Sequence, residues 1–453
     1  MRALAELLSD RGWTLTGSDQ SEPDSSLNSG PQQIHIHHNH SASHVSPQVD
    51  VLIYSPAVGV SNPERVAARQ MGIPEFSYSR FLGELMRERT SCCIAGTHGK
   101  TTTAAILATI LRESGQSPDA AIGGEVIQYN RSGWSGHGQF FVAESCEYRK
   151  HFLEHSPQFA TILGIERDHF DCFPDWDSQL NAFTEFAGRV PGDGVLVVPA
   201  ACRASAAAAC CSAARTETFF VEPSSSGSTT QATWLARNLT RTETGFRFHV
   251  DRHGSPFCET ETRVPGRHNV ENALAAIAVA HAAGADAEAI APAVAAFCGV
   301  RRRFEILSAA RNFTVIDDYA HHPTAIRATL QTAREFCGNR RILVAFQPHQ
   351  ISRTRALLTE FAASFSAADR VFLAPIFAAR ESSDRGETTL AELVSGILQS
   401  GIEACSTASL DQLKDVVDDA ARPDDVVLIL GAGNISRIAH EFTPGKIPRN
   451  HAG

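Results

Sequence analysis

At 453 residues the chain is too long for a single hydrophobic core and implies about two to four domains. Its 43% hydrophobic and 20% charged residues are those of an ordinary globular protein, and a formal net charge of -10 leaves no basic footprint for nucleic acid. No run of about 18 apolar residues offers a membrane span, and Glu6, Asp10 and Arg11 interrupt any signal-peptide core, so a cytoplasmic protein without membrane insertion is expected.

The N-terminal part, to about residue 90, alternates helix and strand patterns and so implies a parallel sheet. Leu4, Leu7 and Leu8 recur at helical spacing, as do Phe81, Leu82 and Leu85, while Trp13 to Thr16 and Val51 to Tyr54 read as strands. Gly17-Ser18-Asp19 stands where an acidic residue meets a nucleotide ribose in such folds. His35, His37, His38, His40 and His44 share their segment with Asn39, Ser41 and Ser43, and read as a solvated loop rather than a metal site. The 11 cysteines, with no C-x-x-C, form neither a disulfide framework nor a zinc motif and read as reduced small hydrophobes.

The stretch from Ser91 to Thr109, SCCIAGTHGKTTTAAILAT, carries the clearest chemistry. A strand ending at Ala95 delivers Gly96-Thr97-His98-Gly99 into a tight turn whose backbone N–H groups converge on an anion. Lys100 adds a point charge for terminal phosphates, Thr101 offers a hydroxyl to Mg2+, and Thr102 continues into a helix whose positive N-terminus faces the same anion. The helix carries an apolar stripe of Ile106, Leu107, Ile110 and Leu111.

Beyond it, strands over Phe140 to Ala143 and Phe159 to Leu163 lead to Glu144 and to Glu166-Arg167-Asp168-His169-Phe170-Asp171, at the strand ends where open α/β sheets bind ligands. Val195 to Val198 is a further strand, and Pro223 to Thr230 a surface loop. Gly266 to Asn272 opens a long alanine-rich helix, with Asn269 and Asn272 three apart on one face. From about Arg301 the α/β rhythm resumes, with strands over Phe313 to Ile316, Ile342 to Phe346, Val371 to Ala374 and Val426 to Leu430 and a helix over Arg353 to Phe365.

Taken in order, Gly96 to Thr102, Glu144, Asp168-His169-Phe170-Asp171, His268-Asn269-Val270-Glu271-Asn272, Arg303-Phe304 and Asp317-Asp318 resemble the Mur ligase family, the ATP-dependent amide ligases of peptidoglycan precursor synthesis. The resemblance covers nearly the whole chain. It implies an α/β fold of three domains: a Rossmann-like UDP-sugar-binding domain over 1–90, a central P-loop ATPase domain over 91–300, and a doubly wound amino-acid-binding domain over 301–453. By the same resemblance Lys100 holds the ATP phosphates, and Thr101, Glu144 and His169 lie on or near Mg2+. Asn269 and Asn272 meet the adenine, and Arg303 and Asp318 complete the ATP site from the third domain. A carboxylate is phosphorylated by ATP and the acyl phosphate is then attacked by an amine.

Asp318-Tyr319-Ala320-His321-His322-Pro323-Thr324, Gln347-Pro348-His349 and Arg353-Thr354-Arg355 are most similar to the member that joins L-alanine to UDP-N-acetylmuramate. They imply that His321, His322, His349 and Arg353 serve the substrate. The member that attaches a ready-made tripeptide to the same sugar shares the D-x-x-H-H-P-T run and stays open, as does a P-loop phosphotransferase. Gln350 stands where several alanine-adding members have arginine. No lysine occurs between Lys150 and Lys414, so the carbamylated lysine of later members has no counterpart. The resemblance also implies that Met1 to Leu8 corresponds to a helix that follows a strand and a glycine-rich turn in the family; the chain as given is therefore expected to bind the nucleotide sugar poorly. The oligomeric state is not legible.

Overall fold

The computed structural model describes residues 1–20, 34–223, 230–308, 312–379, 381 and 386–442. The N-terminal part opens with helix α1 (Arg2–Asp10), whose Ala3, Leu4, Leu7 and Leu8 are buried on one side. Two short parallel pairs follow. Strand β1 (Thr16–Asp19) pairs with β2 (His35–His38), and β3 (Leu52–Tyr54) pairs with β4 (Glu75–Ser77), with α2 (Pro63–Gln70) between β3 and β4 and α3 (Tyr78–Met86) after them. The two pairs form separate sheets.

Two expectations change here. The first strand starts at Thr16 rather than at Trp13, so Gly17-Ser18-Asp19 lies inside it. His35 to His38 form an edge strand rather than a loop, because parallel pairing with β1 satisfies their backbone whatever their side chains.

The central sheet has ten strands in the order β14-β13-β12-β11-β10-β9-β5-β8-β6-β7. In chain order these are β5 (Thr90–Ala95), β6 (Asp119–Val126), β7 (Arg131–Trp134), β8 (Phe140–Glu144), β9 (Phe159–Ile162), β10 (Val195–Pro199), β11 (Arg215–Val221), β12 (Trp234–Arg241), β13 (Phe246–Arg252) and β14 (Ser255–Thr262). From β6 through β12 neighbouring strands run parallel, while β7 and the β12-β13-β14 meander add antiparallel edges. Strand β5 sits in the middle and is buried from Ser91 to Ala95, as a parallel strand covered on both faces must be.

Helix α4 (Lys100–Glu113) leaves β5 through the glycine turn; after α5 (Trp176–Ala187) and α6 (Arg203–Ala209), the alanine-rich α7 (Arg267–Ala282) packs against it. Alanines at 273, 275, 276, 278 and 280 are fully buried, and such small side chains let the two axes approach closely. The expected single stripe on α4 is too narrow, since every residue from Thr101 to Leu111 is buried. A helix enclosed on all sides has no solvent face to pattern.

Helix α1 is fastened to the β6-β7 edge of this sheet. The buried Glu6 carboxylate accepts the backbone N–H of Ser132 (2.7 Å) and Gly133 (2.9 Å), Arg131 pairs with Asp10 at 2.9 Å, and Arg2 reaches Glu125 at 2.8 Å. Glu125 also faces Arg301 at 3.2 Å, at the start of the C-terminal part.

That last part is a six-stranded sheet in the order β15-β16-β20-β17-β18-β19. Its strands are β15 (Glu305–Ser308), β16 (Thr314–Asp318), β17 (Ile342–Phe346), β18 (Arg370–Leu373), β19 (Glu403–Ser406) and β20 (Val426–Leu430); only the edge strand β15 is antiparallel. Apolar cores lie on both faces, one around Ile326, Phe346 and Phe361 and the other around Leu343, Phe372 and Ile438, which is the doubly wound arrangement. The helix expected over Arg353 to Phe365 is two, one over Ile351–Ala356 and one over Leu358–Ser364, broken at Leu357. Most of the expected loop at Pro223 to Thr230 lies outside the described residues, and among those described no helix is long and apolar enough to cross a membrane.

Candidate active site

The phosphate loop forms as its sequence requires. Gly96 and Gly99 have φ of 128° and 79°, and a Cβ on Gly99 would stand 2.3 Å from the side-chain oxygen of Asn272, so only glycine lets α7 approach the loop. Asn272 donates to the Asn269 side chain at 3.1 Å and accepts from Thr103 at 3.3 Å, which places both amides of the α7 start against the loop and α4. Asn269 donates in turn to Pro265 O at 2.7 Å.

Lys100 turns back over the loop. Its Nζ donates to Gly96 O and Thr97 O, and lies 2.9 Å from Glu147, whose side chain is fully buried. Burial opposes the lysine charge, but Glu147, foremost among the nearby acidic groups, raises its pKa above the ordinary value. Burial likewise pushes the Glu147 carboxyl up; Lys100 and His169 outweigh it, and the net shift is downward. His169 Nε2 lies 3.6 Å from Glu147. Glu147 belongs to no motif in the sequence. Its one available signal is position, a carboxylate three residues past the end of β8.

Glu144, at the end of β8, accepts the Gly123 N–H at 2.8 Å and adds to the negative field around Lys100. The Thr101 hydroxyl and the Glu144 carboxylate are hard oxygen donors of the kind Mg2+ selects, and His169 supplies a borderline nitrogen, so the donor chemistry fits. From the C-terminal part, Arg303 donates to Thr101 Oγ1 at 3.0 Å and lies over the Tyr319 ring at 4.8 Å. Asp318 does not face the loop freely. One oxygen accepts the Phe304 N–H and the other the Ala320 N–H, both at 2.7 Å, so it fixes the turn that presents Arg303. Arg302 and Phe304 on either side of Arg303 have φ of 60° and 49°, and His169 has 54°. Such left-handed backbone at non-glycine residues costs energy and gathers here around the site.

The residues expected to serve the substrate divide into two groups. Arg353, His349 and His321 lie together: Arg353 donates to His349 O at 3.1 Å, and the His321 and His349 rings meet edge to face at 5.9 Å. Arg353 is not free to clamp a carboxylate, because its buried guanidinium donates to Asp168 at 2.7 Å. Burial would raise the Asp168 pKa, yet Arg353 drives it well below the usual value, whereas burial and Arg353 together lower that of His321. His322 belongs to a different cluster, with His98 of the loop and Glu166.

Comparison with known proteins bears on this arrangement directly. The profile of the Mur ligase family catalytic domain matches residues 1–90, that of the Mur ligase middle domain 94–280, and that of the Mur ligase glutamate ligase domain 302–433. The chain is 37% identical over 451 residues to a UDP-N-acetylmuramate--L-alanine ligase of Desulfitobacterium hafniense, spanning 98% of this chain and 96% of that one. The chain belongs to the Mur ligase family. As a Mur ligase it is an ATP-dependent acid–amino acid ligase with the three-domain α/β fold. A second relative, the UDP-N-acetylmuramate--L-alanine ligase of Acetivibrio thermocellus, is 34% identical over 98% of this chain and 94% of its own. The solved UDP-N-acetylmuramate-alanine ligase of Thermotoga maritima superposes with a TM-score of 0.80 at 29% identity, covering 97% of this Mur ligase and 95% of that chain. A murein peptide ligase from Psychrobacter arcticus shares the fold, with a TM-score of 0.75 at 24% identity over 97% and 95%.

Proposed function

We propose that this Mur ligase joins L-alanine to the lactyl carboxylate of UDP-N-acetylmuramate in the cytoplasm, at the expense of ATP. The observation that carries the reading is full-length identity of 37% with an L-alanine-adding relative, in a chain whose Arg303 reaches the phosphate loop from the C-terminal part. On this reading residues 1–90 hold the nucleotide sugar, 91–300 the ATP and 301–453 the amino acid.

Loop N–H groups between Gly96 and Thr102, that of His98 among them, face the ATP phosphates, while the Thr97 N–H is held by Gly164 O at 2.7 Å; Lys100 exchanges its loop carbonyls and Glu147 for the phosphate charge. Asn269 and Asn272 meet the adenine. Thr101, Glu144 and His169 would hold Mg2+, which would supply charge neutralisation for phosphoryl transfer. Arg303 brings a second cation to the transferring phosphoryl group, and Asp318 holds the turn that carries it. The amine then attacks the acyl carbon and the bond to the phosphate oxygen breaks, releasing inorganic phosphate, in a site closed against water by the C-terminal domain with His321, His322, His349 and Arg353 along its wall. No side-chain nucleophile is required.

The test supplies UDP-N-acetylmuramate and ATP with L-alanine, glycine, L-serine or the tripeptide in parallel, and follows amide product by mass. L-Alanine is expected to give the highest kcat/KM; preference for the tripeptide overturns the assignment. Phosphorylated sugar accumulating without any amine requirement indicates a phosphotransferase instead. In the same assay Glu144→Ala and His169→Ala are expected to raise the Mg2+ concentration for half-maximal rate at least about tenfold. Titrations that superimpose on the parent remove both residues from the metal site.

A further inference from the structure

A second set of ligand-bearing side chains lies at the seam between the central and C-terminal parts, outside the lysine–glutamate centre. His98 comes from the phosphate loop, Glu166 from the segment after β9, and His322 from the N-cap of the helix Pro323–Cys337. His98 Nε2 stands 3.4 Å from Glu166 Oε2, and His322 Nδ1 stands 3.7 Å from the same oxygen. The three ligand atoms all lie within 4.8 Å of one another. A tetrahedral ion with bonds of the usual Zn2+ length holds its ligand atoms about 3.3 Å apart, so two edges nearly have that length already.

The surroundings prepare the set for a cation. His322 Nε2 faces the Arg167 carbonyl oxygen at 3.2 Å, a contact that calls for a proton on that nitrogen and leaves Nδ1, 3.7 Å from Glu166 Oε2, as the acceptor. Nδ1 also takes a long contact from the Thr324 N–H at 3.4 Å, the N-cap bond of the Pro323–Cys337 helix, which a bound ion displaces. Burial, then His98, lowers the His322 pKa to about 4, so the ring is neutral at neutral pH. Glu166 is ionised, its carboxyl held at about 2 by His98, Thr324 and His322 against the opposing effect of burial. Thr324 donates to the carboxylate at 2.6 Å, and the Glu166 backbone is fixed through the Thr97 hydroxyl and Gln179. Two imidazoles and one carboxylate, with partial exposure left for water, form a donor set suited to Zn2+ and poorly suited to Mg2+.

We propose that His98, Glu166 and His322 form a binding site for a transition-metal dication such as Zn2+, separate from the ATP magnesium, which ties the phosphate loop to the C-terminal domain. Because the ligands come from both parts, the ion binds the closed arrangement more tightly than an open one and shifts the population toward closure.

The test uses the full chain without nucleotide and Co2+ as the optical probe. The parent protein is expected to take up Co2+ with a visible d–d band, to release it to an equivalent of Zn2+, and to retain it in a large excess of Mg2+. His322→Ala and Glu166→Gln lower the affinity at least about tenfold, whereas Cys146→Ser, at the separate Cys146, Glu147 and His169 cluster, leaves the band unchanged. Should melting show that His322→Ala is misfolded, His98→Gln, on a partly exposed loop side chain, decides the matter. Failure of the parent to take up Co2+, undiminished uptake by both histidine variants, or loss of the band in Cys146→Ser overturns the proposal.

Discussion

Lys100→Ala is expected to lower the rate of ATP-dependent amide formation by about 100-fold or more, since one focused contact to developing charge contributes at least that much. Retention of more than about a tenth of the parent rate contradicts the assigned role. The substitution also has a structural cost that the sequence does not announce. Lys100 is the cation beside a fully buried Glu147, and removing it strands that carboxylate, an event that typically costs about 3 kcal/mol or more. Lys100→Met combined with Glu147→Gln separates the two effects: stability returns toward the parent value while activity stays low. The pH dependence has a definite sign. Glu147 has a folded pKa below its ordinary value of 4.5, so its contribution is fully present above about pH 4.5 and is lost as pH falls through the lowered value. The double variant is expected to lose less stability than the parent between neutral and acid pH, as measured by denaturant unfolding.

Arg353→Ala carries the second large effect, on stability. Its guanidinium and the Asp168 carboxylate are both almost inaccessible to solvent, 2% and 6% exposed, and belong to different domains. Truncating the arginine leaves an unpaired carboxylate in a dry interface and is expected to cost about 3–5 kcal/mol by denaturant unfolding. Asp168→Asn in the Arg353→Met background is expected to recover much of that loss, because no charge then remains buried. A loss below about 1 kcal/mol in Arg353→Ala shows that water reaches the pair and that the guanidinium is available to substrate after all.

The parts read correctly from sequence are those whose chemistry is local. Strand β5, the turn from Gly96 to Gly99 and helix α4 are contiguous, and the Asn269–Asn272 pair needs only helical geometry to share a face. Arg303 and Thr101 carry the right residue types, but their meeting is a property of domain packing. Arg353 shows the limit most clearly: in sequence it is a cation available to a carboxylate, and in the fold Asp168, 185 positions away, already occupies it. Glu147 is not legible because it stands three residues past β8 in no motif, and only the fold sets its carboxylate beside Lys100, 47 positions away. The antiparallel strands β12 to β14 extend the central sheet by pairing between neighbours and lack the apolar runs that mark its parallel core.

Glu125 has a place in this architecture beyond fastening a helix. Its two oxygens are divided between Arg2 of α1 and Arg301 at the entry to the C-terminal domain, and the carboxylate is mostly shielded from water. A charge shared in this way makes the attachment of each end depend on the other, and thermodynamic reciprocity requires the dependence to be equal in both directions. Any event at the amino-terminal helix that draws Glu125 toward Arg2 therefore alters its hold on Arg301 by the same free energy with which displacement of Arg301 alters the hold on the helix. The two outer domains, which share no sheet, are in this sense weights on a single balance.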